Sequence, residues 1–381
     1  MLKLLHVIPS IAPKSGGPAG AVIAYANLST SFAEVTILTT REDLGDQSVE
    51  SLRKETGLSK SVNLEVFPHL GRHSAKYSRA MLRWMNQHLS SFDVVHLHAA
   101  FSVMTSLSAR KCRKFGVPYV FRPLGTLTGY SLGAGHSKLK QMYWRMFESR
   151  SVAKAGGIHV TSPAEKSAVQ QLTGHTNISV IPIPMKAPNS LNPDKNNTTD
   201  NDTLQFGFLS RIHPKKNLES LFKALADAEI HQKWHLRIAG DGDQNYINEL
   251  QSLARQLRIH DRISWEGFLS GDDKTRFFRS VDFFLLPSFD ENFGIAAGEA
   301  LSHGVPAILS DQVDIGSWGD QLCGVIICKT GPESIREALR TAGSWSADER
   351  EAKGRKAREM ITSSFNPETI THQLREFYTT L

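Results

Sequence analysis

Short apolar runs recur along this chain at intervals long enough to hold a helix. The first, Leu2–Ile8, stops at Pro9. The turn-forming Ser15-Gly16-Gly17-Pro18 and a helical pattern through Ala24 and Leu28 follow, which predicts strand, glycine loop and helix. Runs at Val35–Leu38, Val62–Val66, Val94–Leu97, Val117–Phe121, Ile158–Val160 and Ile178–Ile181 continue the alternation. Strands alternating with helices predict a mostly parallel sheet covered on both faces. From Pro182 to Asp202 the apolar period disappears into a stretch rich in Pro, Asn and Asp, which reads as a linker. A second series has strand candidates at Leu204–Leu209, His235–Ala239, Ile263–Trp265, Phe283–Leu286, Ala307–Leu309 and Gly324–Ile327. The chain closes on Asn366-Pro367-Glu368, a capped helix start, and a helical pattern to Tyr378. The expected organisation is an α/β domain over 1–181, a linker over 182–203, a second α/β domain over 204–365 and a C-terminal helix over 366–381.

A length of 381 residues supports this division, because single cores seldom grow past about 250–300 residues. With 40% hydrophobic and 22% charged residues, the composition is that of a soluble globular protein. Pro9 cuts the first apolar run too short for a signal peptide, and no stretch reaches the roughly 18 consecutive apolar residues of a membrane-spanning helix. The expected location is cytoplasmic. Cys112, Cys323 and Cys328 form no CxxC pair and are odd in number, as for reduced thiols.

Charge adds an asymmetry. Residues 1–185 hold 21 Lys+Arg against 10 Asp+Glu, and the remainder 23 against 28. The surplus concentrates over 66–154, with 14 basic residues and 2 acidic, including the clusters Arg72/Lys76/Arg79/Arg83 and Arg110/Lys111/Arg113/Lys114. Such a face suits an anionic membrane surface, peripheral on the inner leaflet, or a lipid-diphosphate acceptor; its bland reading is a solvated basic surface. Nucleic acid is not expected, because no aromatic RNA-binding signature or glycine-rich RNA clamp accompanies the charge.

The stretch richest in candidate chemistry is Pro287–Ile308, which reads as strand end, loop, helix and next strand. Glu291 falls in the loop and Glu299 in the helix's early turns, where ligands of open α/β sheets bind beyond the carboxyl ends of strands. Glu299 could accept two hydrogen bonds from a ribose diol. In Leu209–Leu218, after the first strand of the second series, Arg211 and Lys216 form a pair of cations suited to a diphosphate, Arg as a bidentate fork and Lys as a point charge. Gly16-Gly17 leads into a helix, so its backbone N–H groups can approach phosphate oxygens. His96 and His98 share one side of a strand. No nearby Cys or carboxylate completes a metal site for them, and His98, last before the loop, is the candidate for facing a cleft. Asp241-Gly242-Asp243 and Asp200-Asn201-Asp202 look like Asp-x-Asp metal motifs and are discounted.

Taken together, these residues resemble glycosyltransferase family 4, the retaining glycosyltransferases of GT-B fold. The resemblance is carried, in the family's order and over nearly the whole chain, by Gly16-Gly17, Asp93 to His98, Ser162 to Glu165, Ser210 to Asn217, Ile238 to Asp243, and Glu291 through Glu299. It implies two Rossmann-like domains facing each other across a cleft, with the closing helix able to return to the first. It also implies Arg211 and Lys216 on a donor diphosphate, Glu299 on the nucleotide ribose, Glu291 beside the donor sugar and the Gly16-Gly17 loop closing over the phosphates.

The expected catalytic set is therefore Arg211, Lys216, Glu291 and His98. The donor-binding set is Gly16, Gly17, Arg211, Lys216, Glu291, Asn292, Phe293, Gly294, Ile295 and Glu299. The family often has a histidine before a glycine in the first domain's active-site loop, where this chain has Phe121-Arg122-Pro123-Leu124-Gly125-Thr126. Arg122 and Gly125 are the acceptor-side candidates, with a structural ion pair as the other reading of Arg122. The activity implied is transfer from a UDP-, GDP- or ADP-sugar to a lipid-linked or saccharide hydroxyl, without metal or other cofactor, in assembly of a cell-surface polysaccharide, lipopolysaccharide or glycolipid. The rival readings are a non-catalytic nucleotide-sugar or lipid-binding module, or another GT-B nucleotide-sugar enzyme such as an epimerase or phosphorylase.

Overall fold

The computed structural model describes residues 1–12, 16–41, 48–71, 75–127, 137–185, 203–230, 232–321 and 323–381. The chain divides into two compact units, Met1–Pro184 with Pro367–Leu381, and Met185–Asn366. Most of the expected linker, 186–202, lies outside the described residues.

The first unit is built on β1 (Leu2–Val7), β2 (Ala33–Thr40), β3 (Val62–Phe67), β4 (Val94–His98), β5 (Tyr119–Arg122), β6 (Gly157–Val160) and β7 (Ile178–Val180). They form one parallel sheet in the order β3-β2-β1-β4-β5-β6-β7. β5 starts two residues later than the apolar run beginning at Val117, although Pro118 already accepts from the Val95 N–H at 3.1 Å. The helix Gly17–Ser29 turns Ala19, Ala21, Val22 and Ala26 inward, small side chains that let its backbone lie close to its neighbours.

The helix Pro367–Thr379 belongs to this unit although it comes from the chain's end. Ile370, Leu374, Phe377 and Tyr378 recur at i, i+4, i+7 and i+8 and are buried, as one apolar stripe should be. Gly157 makes room for the stripe, since a Cβ there would lie 2.7 Å from the Phe377 ring. The Tyr378 hydroxyl donates to His96 Nδ1 at 2.8 Å.

The second unit carries β8 (Thr203–Leu209), β9 (Lys233–Ala239), β10 (Ile263–Gly267), β11 (Phe283–Leu286), β12 (Ala307–Ser310) and β13 (Val325–Cys328). This sheet is also parallel, in the order β10-β9-β8-β11-β12-β13. β13 starts one residue after the run beginning at Gly324, because Gly324 has a left-handed φ of 86° that extended pairing does not accommodate. Both sheets and their covering helices agree with the α/β, two-Rossmann GT-B expectation. Among the described residues, no helix is long and apolar enough to cross a membrane.

Replacing Tyr378 by Phe keeps the ring in its pocket and removes the hydroxyl, leaving His96 Nδ1 buried without a donor. The expected loss of stability is about 1–3 kcal/mol. Urea unfolding of Tyr378→Phe against the parent measures it, and coincident curves would show that the bond contributes nothing.

Candidate functional site

In the second sheet the strand order reverses between β8 and β11, so the chain leaves these two neighbours toward opposite edges. Such a reversal opens a crevice at the strands' carboxyl ends. The loops that flank it are Ser210–Asn217 and Pro287–Gly294. They are stitched together by Phe289 N–H to Lys215 O at 2.9 Å and by Asn217 Nδ2, which donates to Pro287 O at 3.0 Å and Thr330 O at 2.8 Å.

On this scaffold Lys216 forms an ion pair with Glu291, and Lys215 one with Asp290. Lys216 is buried, held in the short 3-10 turn Pro214–Lys216, while Glu291 is half-buried. The backbone of Glu291 is fixed as well: its N–H donates to Gln312 O at 2.9 Å and its carbonyl accepts from Asp314 N–H at 3.1 Å. Gly294 follows with φ 83° and caps the helix Ile295–Ser302; a Cβ there would meet Val313 Cγ1 at 2.7 Å. Glu299 sits in that helix's second turn, and its Oε1 lies 2.6 Å from Lys274 Nζ. Arg211 is exposed and, among the described residues, has no ion-pair partner. Burial, followed by the charges of Arg211, Lys215 and Lys216, lowers the pKa of His213 below the ordinary imidazole value, a sign of how cationic this loop is.

The glycines of Gly240-Asp241-Gly242 have a packing reason. Added Cβ atoms would sit 1.8 Å from Ser210 O and 2.2 Å from Ile212 O, so these glycines let the loop bearing Arg211 lie flat against its neighbour. Asp243 caps the helix Gln244–Gln256 through the Tyr246 N–H, a structural role for the second carboxylate of the discounted motif. Phe293 is buried with its ring 5.7 Å from that of Phe365, so only its backbone is offered to a ligand. Asn292 is half-buried with Oδ1 unpartnered, and Ile295 is half-buried at the helix start. Lys274 was not foreseen: it lies 25 positions from Glu299, and no local pattern pairs them.

In the first unit Gly16, with φ 70°, precedes the helix Gly17–Ser29, and both glycines are exposed. The first turn carries no acidic residue, which leaves its amides suited to an anion. His98 departs from expectation. It faces no solvent, being fully buried beside His6, His96 and His159.

The hydrogen bonds fix the tautomers of His159 and His96. His159 Nε2–H donates to Ile181 O at 2.8 Å, which leaves its Nδ1 to accept from His96 Nε2–H at 3.3 Å; His96 Nδ1 then accepts from Tyr378. His98 Nε2 bonds His6 Nδ1 at 2.9 Å. Burial lowers all four pKa values, that of His6 to about 3, and the nearby Arg122 cation lowers them further. His6, His96 and His98 bring three nitrogens within 4.8 Å of one another. His6 Nδ1 and His98 Nε2 already share a proton, and a positive guanidinium lies nearby, so the set is a neutral network rather than a ready cation site.

Arg122 is buried with its guanidinium 4.8 Å from the Tyr25 ring and with Nε and Nη1 unpartnered. No contact ion pair forms for it among the described residues. Its charge reaches fully buried Glu165, which accepts from Gly125 N–H at 2.7 Å and Thr161 N–H at 2.8 Å. Thus Gly125 is tied into the Glu165 turn. Another buried acid was not foreseen: Glu148 lies in the π-helical turn Trp144–Glu148, accepts from the Ser106 hydroxyl at 2.9 Å, and has its pKa raised by burial from 4.5 to about 7.

Two family profiles match the chain, "Glycosyl transferase 4-like domain" over residues 23–184 and "Glycosyl transferases group 1" over 192–360. An uncharacterized glycosyltransferase of Methanocaldococcus jannaschii is 33% identical over 36% of this chain and 35% of its own. The GDP-mannose:cellobiosyl-diphosphopolyprenol alpha-mannosyltransferase of Komagataeibacter xylinus is 25% identical over 99% of this chain and 93% of its own. The matched segments span only 22–35% of the length of three curated relatives. Among solved structures, Anabaena HepE in complex with UDP and glucose superposes with a TM-score of 0.77 at 18% identity, over 100% of both chains, a likeness of fold.

Glu148 supplies a pH test. Folded, it keeps its proton up to about pH 7, whereas the unfolded chain releases it near 4.5, so stability falls as pH rises between those values. Glu148→Gln keeps an acceptor for Ser106 and removes that slope. At pH 8 the variant should be more stable than the parent, by up to about 3 kcal/mol, and at pH 4 equal to it. Chemical denaturation at the two pH values checks this; an equal difference at both would refute it.

Proposed function

The chain belongs to the group 1 glycosyl transferases, and on that premise we propose that it moves a glycosyl unit from a nucleotide-diphosphate sugar to a hydroxyl acceptor. The observation that carries this reading is the meeting of Lys216 and Glu291, from two loops that part at the strand-order reversal, with Glu299 on the next helix. Breaking the anomeric carbon–oxygen bond leaves negative charge on the departing diphosphate. Lys216 is already held in place by Glu291, so it can meet that charge with little reorganisation, while exposed Arg211 can swing onto it as a bidentate fork. Glu299 would accept from the ribose diol, with Lys274 balancing its charge.

On the first unit, the exposed Gly16 and Gly17 amides offer the same phosphate chemistry. Arg122, with two unpartnered nitrogens, and the adjoining Gly125 turn are the acceptor-side candidates. A relative named for GDP-mannose and a structure solved with UDP and glucose support a nucleotide-sugar donor; UDP-, GDP- and ADP-sugars are the candidates. A lipid-linked or saccharide acceptor in cell-surface polysaccharide, lipopolysaccharide or glycolipid assembly is part of the proposal. So is retention of configuration, which rests on the family resemblance.

Two variants separate the roles. Lys216→Ala should lower turnover about 100- to 1000-fold while weakening binding of the intact donor far less, because its contact strengthens as charge develops. Glu299→Ala should weaken nucleotide binding by roughly 10- to 150-fold, the worth of one charge-assisted hydrogen bond. Calorimetry with UDP, GDP and ADP, alongside a transfer assay, reads both, and unchanged affinity in Glu299→Ala would remove that residue from the site.

Neutralising the diphosphate with Arg211 and Lys216 leaves no step that requires a divalent ion. Transfer should therefore proceed in excess EDTA, and the product's anomeric coupling constant in NMR should match that of the donor. Activity lost to the chelator and restored by magnesium would overturn the metal-free reading, and an inverted product would overturn retention.

A further inference from the structure

The basic surplus of the first unit is broad, and part of it is already engaged. Lys76 is buried, Lys111 bonds Asn86 and Arg113 bonds the Tyr119 hydroxyl. One segment stands apart. From Ser137 to Ala153 the chain runs as helix, π turn and helix. Its inner side is satisfied: the Tyr143 and Trp144 rings lie 6.2 and 6.4 Å from Phe101, and Glu148 is buried on Ser106.

Its outer side is not what a water-facing helix presents. Met142, Met146 and Phe147 are 52%, 62% and 49% exposed, the one place where three large apolar side chains stand out within six residues among the described residues. Around them, residues 137–154 hold five basic side chains and a single acidic one, the inward-facing Glu148. Lys138, Met142, Arg145 and Met146 follow helical spacing, so charge and apolar surface share one stripe. Phe147 packs its ring 5.3 Å from that of Tyr143, yet it and the two methionines each stay about half exposed or more. A surface that combines cations with protruding unbranched and aromatic side chains matches the boundary of an anionic bilayer, where phosphates lie above and acyl chains below.

We infer that this segment docks onto an anionic lipid surface, with Met142, Met146 and Phe147 entering the headgroup layer while Lys138, Arg145 and Arg150 pair with lipid phosphates. The docking does not depend on which sugar or acceptor the protein uses, and its failure leaves the transfer reading untouched.

The test is sedimentation of the purified full chain with phosphatidylcholine vesicles prepared with or without phosphatidylglycerol. Binding is expected only to the anionic vesicles, and it should fall as salt rises. Lys138→Gln with Arg145→Gln should lower partition about fivefold per charge. Met142→Ser, Met146→Ser and Phe147→Ser combined should lower it at least about tenfold, because the apolar area they would bury is lost. All these positions are exposed, so melting temperature and nucleotide affinity in solution should match the parent, which keeps a folding defect distinguishable. Equal partition onto neutral vesicles overturns the electrostatic part. Parental binding by the triple serine variant overturns insertion. A dimer of the parent that the serine variant abolishes would assign the patch to a second copy of the chain and overturn lipid docking.

Discussion

The half-buried ion pair between Lys216 and Glu291 is the interaction on which the candidate site depends. In a parallel sheet every strand ends on the same edge, and where the order reverses, two neighbouring chains must leave in opposite directions. Left to themselves, the loops after β8 and β11 would splay. Here the backbone bond from Phe289 to Lys215, the two carbonyls held by Asn217 and the Lys216–Glu291 pair draw them together. An ion pair at this depth contributes little net stability once desolvation is counted. What it provides is position: a cation fixed at the mouth of a crevice before any ligand arrives. Gly294 and Gly240 serve the same end, since a side chain at the first would collide with Val313, whose segment holds the backbone of Glu291, and one at the second with Ser210, next to Arg211.

The first unit solves a different problem, that of polar side chains buried on a sheet face. Four imidazoles, a guanidinium, two phenols and a carboxylate lie where aliphatic side chains would usually pack. They are tolerated because the imidazoles are neutral and pass hydrogen bonds in one direction, from Tyr378 through His96 and His159 to a backbone carbonyl. Arg122 lies over the Tyr25 ring with Glu165 in range, and burial, with that guanidinium's charge adding to it, holds the histidines unprotonated. The network joins strands β1, β4 and β6 to a helix from the far end of the chain. Closing it therefore commits the last turn of sequence to the first unit.

Burial also separates the unit's inner chemistry from its outer surface at residues 137–153. Glu148 turns inward and stays protonated to near neutral pH, which removes the segment's only acidic side chain from the face that carries Met142, Met146 and the basic residues. The π turn that contains Glu148 places a carboxyl under a surface otherwise free of negative charge.

The sequence alone determined the alternation of strands and helices and its division into two series, because apolar runs bounded by Pro, Gly and Asn leave few other folds open to the chain. It also placed Arg211, Lys216, Glu291 and Glu299 after strands of one sheet, since residue type and position beyond a strand are both local properties. Local pattern failed where the outcome depended on what lies across the sheet. His98 ends a strand, as a cleft residue should, yet neighbours on β1 and β6 and a tyrosine some 280 positions away in the sequence enclose its cluster. Phe293 stands in the middle of the candidate loop but turns into the core against Phe365. Which lysine meets which glutamate was likewise decided only by the tertiary structure. Lys216 with Glu291 and Lys274 with Glu299 are set by the strand order and helix packing, distances that no spacing along the chain encodes.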